Sequence, residues 1–260
     1  MYHVGAYGSG MERIIRTLLS NRDALWKEGV EVPSPGRYRG VFGEALTALN
    51  GGHASNEMQE MLLDSVMDSD DAARVVLSQP AFIGMPKGAI SPKGLYASAP
   101  YRLAGLSNLF PDSHVEFFIG ITHPAQQVQT IVQMTKGDYA SVMAGVDPHG
   151  LLWAPLFRRL LDAVPGRRIV AWAQEDLPFT MPEVLRRMAD VPPHVALQNE
   201  NGILAELLPA EAFSALDTRI SAAPGLGIGP RRDLIEKALA DVAPSAMEAE
   251  IALPGWSQDL

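Results

Sequence analysis

The 260-residue chain contains no cysteine, which excludes disulfide frameworks, thiol nucleophiles, iron–sulfur clusters and cysteine-ligated zinc. Positive charge is scarce: 21 Lys and Arg stand against 30 Asp and Glu, a formal net charge of −9. A surface of that sign repels nucleic acid and anionic lipid unless a basic patch offsets it. The tightest basic groups, Arg158-Arg159, Arg167-Arg168, Arg186-Arg187 and Arg231-Arg232, are scattered pairs, too short to track a phosphate backbone. A membrane-length apolar run is also missing, because the long uncharged stretch from Phe117 to Thr135 contains His123, Pro124 and several glutamines. The start, Met1-Tyr2-His3-Val4-Gly5, has no basic region followed by an apolar run, so no secretory leader is expected and the cytoplasm is the default location. No histidine pair has the H-x-x-x-H spacing of a helical zinc site, and Asp68-Ser69-Asp70-Asp71 is too short for a calcium loop. No serine lies in a G-x-S-x-G elbow.

What remains is a chain that is 47% hydrophobic and 20% charged, a globular composition. Apolar segments alternate in type along it, the pattern of a mostly parallel sheet covered by helices. The expected strands are Tyr2–Ala6, Arg74–Ser78, Val115–Ile121 and Arg168–Trp172, and the expected helices are Met11–Ser20, Glu57–Met67, Ala125–Met134, Leu151–Val164 and Met181–Ala189. In the first helix Ile14, Ile15, Leu18 and Leu19 form one stripe, with Glu12, Arg13, Arg16 and Thr17 opposite. Segments Val32–Gly40, Gln79–Gly94 and Ala222–Pro230 read as loops. From Val195 to Trp256 no strand is expected, only short helices broken by Pro and Gly. The fold expectation is therefore α/β: one domain over residues 1–260, with residues 194–260 a mainly helical extension.

The most informative segment is the first. Strand-like Tyr2-His3-Val4 runs into Gly5-Ala6-Tyr7-Gly8-Ser9-Gly10 and then into the helix beginning near Met11. A strand, a tight glycine turn and a helix N-terminus gather backbone N–H groups at the positive end of a helix dipole, a phosphate or sulfate cradle in outline. Gly5 and Gly10 have Walker-loop spacing, yet Met11 and Glu12 stand where Lys and Ser or Thr would follow.

These residues resemble the P-loop sulfotransferases, and more closely their bacterial sulfotransferase-like members. The family's loop reads Gly-x-(Pro or His)-Lys-(Thr or Ser)-Gly-Thr-(Thr or Ser). Gly5, Ser9 and Gly10 match it, while Gly8 stands in the lysine position and Met11 and Glu12 in the two hydroxyl positions. Val115–Pro124 is similar to the family's central strand and turn, with Thr122 where an Arg would hold a 3′-phosphate and Thr130 where a Ser would follow. Val170–Pro178 is similar to its Trp-x-x-Glu-Asp segment. Leu253-Pro254-Gly255-Trp256 is similar to a C-terminal motif after which members continue, so the resemblance implies a chain truncated near Leu260. It also implies a P-loop sulfotransferase-like parallel sheet flanked by helices. The implied cofactor is 3′-phosphoadenosine 5′-phosphosulfate, on Tyr7, Gly8, Ser9, Gly10, Met11, Thr122 and Thr130, and the implied acceptor is a hydroxyl of a small molecule or glycan.

The departures point elsewhere. Gly8 and Thr122 remove both expected cations, so a non-catalytic binding or scaffold protein with a degenerate nucleotide pocket stands beside sulfuryl transfer as the alternative. Lys87 and Lys93, in the long loop, are the candidate substitutes. His123, after a strand that ends at the ligand edge of the sheet, is a candidate general base or a turn histidine before Pro124. Glu175 is a candidate catalytic carboxylate or a structural one, and Asp176 a candidate helix cap or partner of an Arg.

Overall fold

The computed structural model describes residues 1–68, 71–223 and 225–250. In chain order, β1 (Tyr2–His3) leads through the glycine turn into α1 (Met11–Ser20) and α2 (Arg22–Lys27), and β2 (Val30–Glu31) precedes α3 (Pro35–Leu49) and α4 (Asn56–Val66). Next come β3 (Arg74–Val75), β4 (Leu77–Ser78), the hairpin of β5 (Ile90–Ser91) and β6 (Gly94–Leu95), and α5 (Ala99–Asn108). They are followed by β7 (Glu116–Ile121), α6 (Pro124–Thr135), α7 (Tyr139–Met143), α8 (Trp153–Ala163), β8 (Arg168–Ala173) and α9 (Leu177–Ala189). The described chain closes with α10 (Gly202–Leu207), α11 (Ala210–Ser221) and α12 (Ile228–Glu250).

The central sheet has the order β4-β1-β7-β8, and every pairing is parallel. Helices cover both of its faces, because side chains alternate along a strand. Tyr2, Val4, Phe117 and Ile119 join the core formed with Phe42 of α3, Leu106 of α5 and Leu156 of α8. Phe118 and Trp172 turn the other way, into the core shared with Ile14 and Leu18 of α1 and Met181 and Leu185 of α9. The expected stripe of α1 holds at Ile14 and Leu18, with Ile15 and Leu19 at the margin, whereas Thr17, expected on the opposite face, is buried. At the N-terminal edge of the sheet, buried Glu116 accepts from Arg168 at 3.0 Å and pairs with Arg74, tying β7 to β8 and β3.

The order of strands fixes where a ligand can sit. From β1 the chain crosses to β4 on one side and then returns to β7 on the other. Connections leave β1 and β7 in opposite directions, and such a reversal opens a crevice beyond the carboxyl ends of the two strands.

Several expectations change in detail. The first strand is assigned only to Tyr2–His3, but its ladder continues through Val4 N to Phe118 O at 2.9 Å and Ala6 N to Gly120 O at 2.9 Å. The expected strand Arg74–Ser78 is two strands, β3 pairing with β2 and β4 with β1, and Val76 between them donates to Glu31 O. Residues 35–40, expected as loop, open α3. Pro35 occupies its first position, where the missing N–H costs nothing, and Gly36, Gly40 and Gly43 hide the apolar period that Tyr38, Phe42 and Ala45 keep. Gln79–Gly94 holds the short β5 strand and two 3-10 turns, and α12 starts inside the expected loop Ala222–Pro230. α9 begins at Leu177, four residues before the expected start. Residues 251–260, with Leu253-Pro254-Gly255-Trp256, lie outside the described residues, as do Ser69 and Asp70 of the acidic turn.

From Val195 onward the described residues are helical without a strand. The C-terminal helices have their own apolar cluster around Leu204, Leu216 and Ile235. Buried Arg231 fastens them to α9, donating to Phe179 O at 3.0 Å and Asn201 Oδ1 at 2.7 Å. Among the described residues no helix is long and apolar enough to cross a membrane.

Candidate functional site at the sheet reversal

The glycine loop closes one wall of the crevice. Gly8 and Gly10 adopt φ of +81° and +76°, left-handed values that side chains rarely take. A Cβ on Gly8 would lie 2.7 Å from Thr130 Oγ1 of α6, and one on Gly10 would meet the Gln174 carboxamide. The loop is therefore packed between α6 and the end of β8, so that a side chain at Gly8 would have to displace Thr130 and one at Gly10 the end of Gln174. Ser9 is buried, and its hydroxyl donates at 2.6 Å to Ala6 O, inside the loop instead of toward the crevice. Tyr7 is fixed at both ends: its N–H donates to Tyr96 Oη at 3.0 Å, and its own hydroxyl to Gly84 O at 2.9 Å. Met11 is buried in the first turn of α1, and no side chain caps that helix. Glu12 lies on the exposed side, 3.4 Å from Arg16, and leaves the loop open.

The other wall is the end of β7. Thr122 is 2% exposed, and its hydroxyl donates to Glu175 Oε1 at 2.8 Å. The same oxygen accepts the backbone N–H of His123 at 2.7 Å. Burial alone would raise the Glu175 carboxyl, but the N–H of His123, its own backbone N–H and the Thr122 hydroxyl outweigh that and hold it below its ordinary range. An acid so stabilised is ionised at neutral pH and a weak proton acceptor. His123 caps α6 through Nδ1, which accepts the N–H of Ala125 at 3.2 Å. In this geometry Glu175 braces the end of β7 and His123 caps α6. Asp176 pairs with Arg232 at 3.2 Å and does not cap α9.

Two aromatic residues that sequence reasoning missed connect the walls. Trp153 Nε1 donates to Thr122 O at 2.8 Å and its ring stacks on Tyr96, whose hydroxyl receives both Tyr7 N–H and Gln127 Nε2. Tyr96 takes φ of +45°, a strained value for a large side chain. Neither position has a spacing signal, since both serve through contacts between elements distant in the chain.

The cavity between the walls measures about 590 Å³ and is lined by Gly8, Thr122, His123, Gln126, Gln129 and Glu175, with Ala125 and Gln174. Gly8, Thr122, His123 and Glu175 are thus brought together. Ser9 is turned inward, and Thr130 serves as the backing for Gly8. Among the described residues no Lys or Arg lines the cavity. Lys87 and Lys93 are exposed in their turns and do not reach it. Arg13 is spent on Glu206 at 2.6 Å. Gln174 Oε1 is buried without a partner and packs toward Gly10, and Glu175 is the carboxylate among the lining residues. Among the described residues no group of three His, Asp or Glu is placed to hold a metal ion.

These residues do not fit a cofactor carrying a phosphosulfate and a 3′-phosphate. Such groups need N–H donors and cations. The His123 N–H is taken by a carboxylate of the chain itself, and the lysine and arginine positions hold residues that cannot supply charge.

No protein-family model matches the chain, and no curated protein matches it. Among solved structures it is similar to a crystal structure of a sulfotransferase from Alicyclobacillus acidocaldarius, at 9% identity and a TM-score of 0.45, over 92% of this chain and 95% of that one.

Proposed function

We propose that this chain is a non-catalytic, small-molecule-binding protein of sulfotransferase-like architecture, whose reversal crevice takes a neutral or cationic ligand bearing N–H or O–H donors. The observation that carries the reading is the Glu175 carboxylate seated on the His123 N–H and the Thr122 hydroxyl, in a cavity without Lys or Arg. A unit negative charge about 6 Å from Glu175 is opposed by about 1 kcal/mol in water and about 3 kcal/mol at the effective dielectric of a protein surface. Each such charge of a bisphosphate thus loses about five- to hundredfold in affinity, with no cation among the described lining residues to restore it. Gln126, Gln129, Gln174 and Glu175 suit the hydroxyls or amines of a polyol, amino sugar or small amine instead.

Sulfuryl transfer from 3′-phosphoadenosine 5′-phosphosulfate is the second reading, favoured by one observation: the uncapped N-terminus of α1 follows the first strand at the sheet reversal, where anions bind in other α/β proteins. In that reading Tyr7, Gly8, Ser9, Gly10, Met11, Thr122 and Thr130 hold the cofactor and His123 accepts the acceptor's proton.

Calorimetric titration of 3′-phosphoadenosine 5′-phosphate into wild type and Glu175→Gln separates the two. The first reading predicts no saturable binding to wild type and a gain of about tenfold or more in the variant, which keeps the amide oxygen but loses the charge. Equal, micromolar binding to both proteins overturns it.

A further inference from the structure

Helix α6 has proline directly after its cap, and this decides the chemistry of His123. Pro124 at the first helical position has no N–H, so Ala125 carries the first backbone donor that α6 leaves without an intrahelical partner. His123 Nδ1 accepts that N–H at 3.2 Å. A backbone N–H can only donate, so Nδ1 holds a lone pair and the proton of the neutral imidazole lies on Nε2. Nε2 has no hydrogen-bond partner among the described residues, and the exposed ring lines the reversal crevice.

Protonation changes both ends of the ring. The acid form carries a proton on each nitrogen, so Nδ1 can no longer accept and the Ala125 N–H loses its cap. It also adds a positive charge to the crevice wall. The opposite charge among the lining residues is Glu175, whose Oε1 accepts the His123 backbone N–H at 2.7 Å. Although burial opposes it, the donors on Glu175 hold its carboxyl below the ordinary range, so it stays ionised while the histidine titrates. The other described lining groups, Gly8 of the loop, Thr122 of β7, Ala125, Gln126 and Gln129 of α6, and Gln174, do not titrate. Neighbouring Asp176 is paired with Arg232 at 3.2 Å. The lining thus carries a net negative charge while His123 is neutral and none once it is protonated.

We propose that His123 sets the charge specificity of the reversal crevice: neutral, it leaves Glu175 free to hold a cationic ligand and donates from Nε2 to a ligand oxygen, and protonated, it releases the cation. This regulation rests on the reading of the crevice as a site for donor-bearing ligands. A small molecule with a charged nitrogen and an acceptor oxygen, such as an amino sugar or amino alcohol, satisfies both groups. Because the free ring nitrogen already bears the proton, His123 acts here as a donor and not as a base.

The test uses methylguanidinium, whose charge and N–H donors persist throughout the titration, and methylurea, its neutral isostere. Binding to the folded protein is followed by NMR from about pH 8 to about pH 5.5. The His123 ring protons, identified by their absence in His123→Asn, record its protonation in the same samples. Methylguanidinium affinity is expected to fall at least about fivefold over this range, in step with the histidine. Methylurea carries no charge and keeps the Nε2 donor, so its affinity should change less than about twofold. His123→Asn retains a side-chain oxygen able to cap α6 and has nothing to titrate at that position, so its affinity for methylguanidinium should not vary with pH. Nitrogen shifts of wild-type His123 at about pH 8 should show a protonated Nε2 and a bare Nδ1. The opposite tautomer, or an equal fall for methylurea, overturns the proposal. Methylguanidinium binding that is flat with pH, or that varies equally in His123→Asn, overturns it too and leaves the crevice reading standing. Absence of methylguanidinium binding below about 10 mM at about pH 8 overturns the crevice reading and the regulation with it.

Discussion

Replacing Gly8 by alanine tests the loop itself. At φ +81° a residue with a Cβ pays about 1 kcal/mol in backbone strain. Its Cβ would also stand 2.7 Å from Thr130 Oγ1 and 3.1 Å from Thr130 Cγ2, overpacking that typically costs a further 1–3 kcal/mol, roughly. Gly8→Ala should therefore destabilise the protein by about 2–4 kcal/mol. In a Thr130→Ala background the steric part disappears, because the remaining Cβ contact at 3.4 Å is ordinary, and the cost of the same change should fall to about 1 kcal/mol. Urea unfolding of the four proteins closes the cycle, with an expected coupling of about 1–3 kcal/mol. Additivity within about 0.5 kcal/mol would refute the packing of Thr130 on Gly8. The result bears on function, since a lysine installed at position 8 would meet the same obstacle. The missing cation cannot then be restored by one substitution.

His3 is fully buried between Ser78 and Trp172, and burial lowers its pKa to about 3 from 6.5. The unfolded chain binds the extra proton more readily, so this group's stabilising effect is complete above pH 6.5 and is lost progressively as pH falls toward 3. At pH 5 the loss relative to pH 7.5 is about 2 kcal/mol; urea unfolding at the two values should show it, and His3→Asn should remove it. An unchanged slope in the variant would refute the assignment. Glu175→Ala leaves the buried Thr122 hydroxyl without its acceptor and should cost about 1–2 kcal/mol. Glu175→Gln, which keeps that acceptor, should cost less than half as much in the same unfolding assay. Equal losses would show that charge, not hydrogen bonding, holds the end of β7.

The central sheet was legible because its strands are buried on both faces and read as short apolar runs separated by glycine, proline or polar residues, as Glu116–Ile121 does. Helix α1 was legible because its apolar residues recur on one stripe. Helix α3 was not, since three glycines dilute its period and proline at its first position reads as a break. Gly5–Gly10 and Thr122-His123 could be expected at one edge of the sheet, because their positions follow from strand ends alone. What the residues do there depends on contacts across the fold. That Glu175 would turn onto Thr122, that Ser9 would face inward and that Thr130 would fill the space beside Gly8 could be read only from the packed structure.

A reversal crevice lined by Glu175 and by no Lys or Arg among the described residues should exclude a polyanionic nucleotide. Its most direct test is calorimetric titration of 3′-phosphoadenosine 5′-phosphate into the wild-type protein at low ionic strength, where charge effects are least screened. No saturable heat is expected up to about 1 mM. Stoichiometric binding with a micromolar dissociation constant would contradict it and return the chain to sulfuryl transfer.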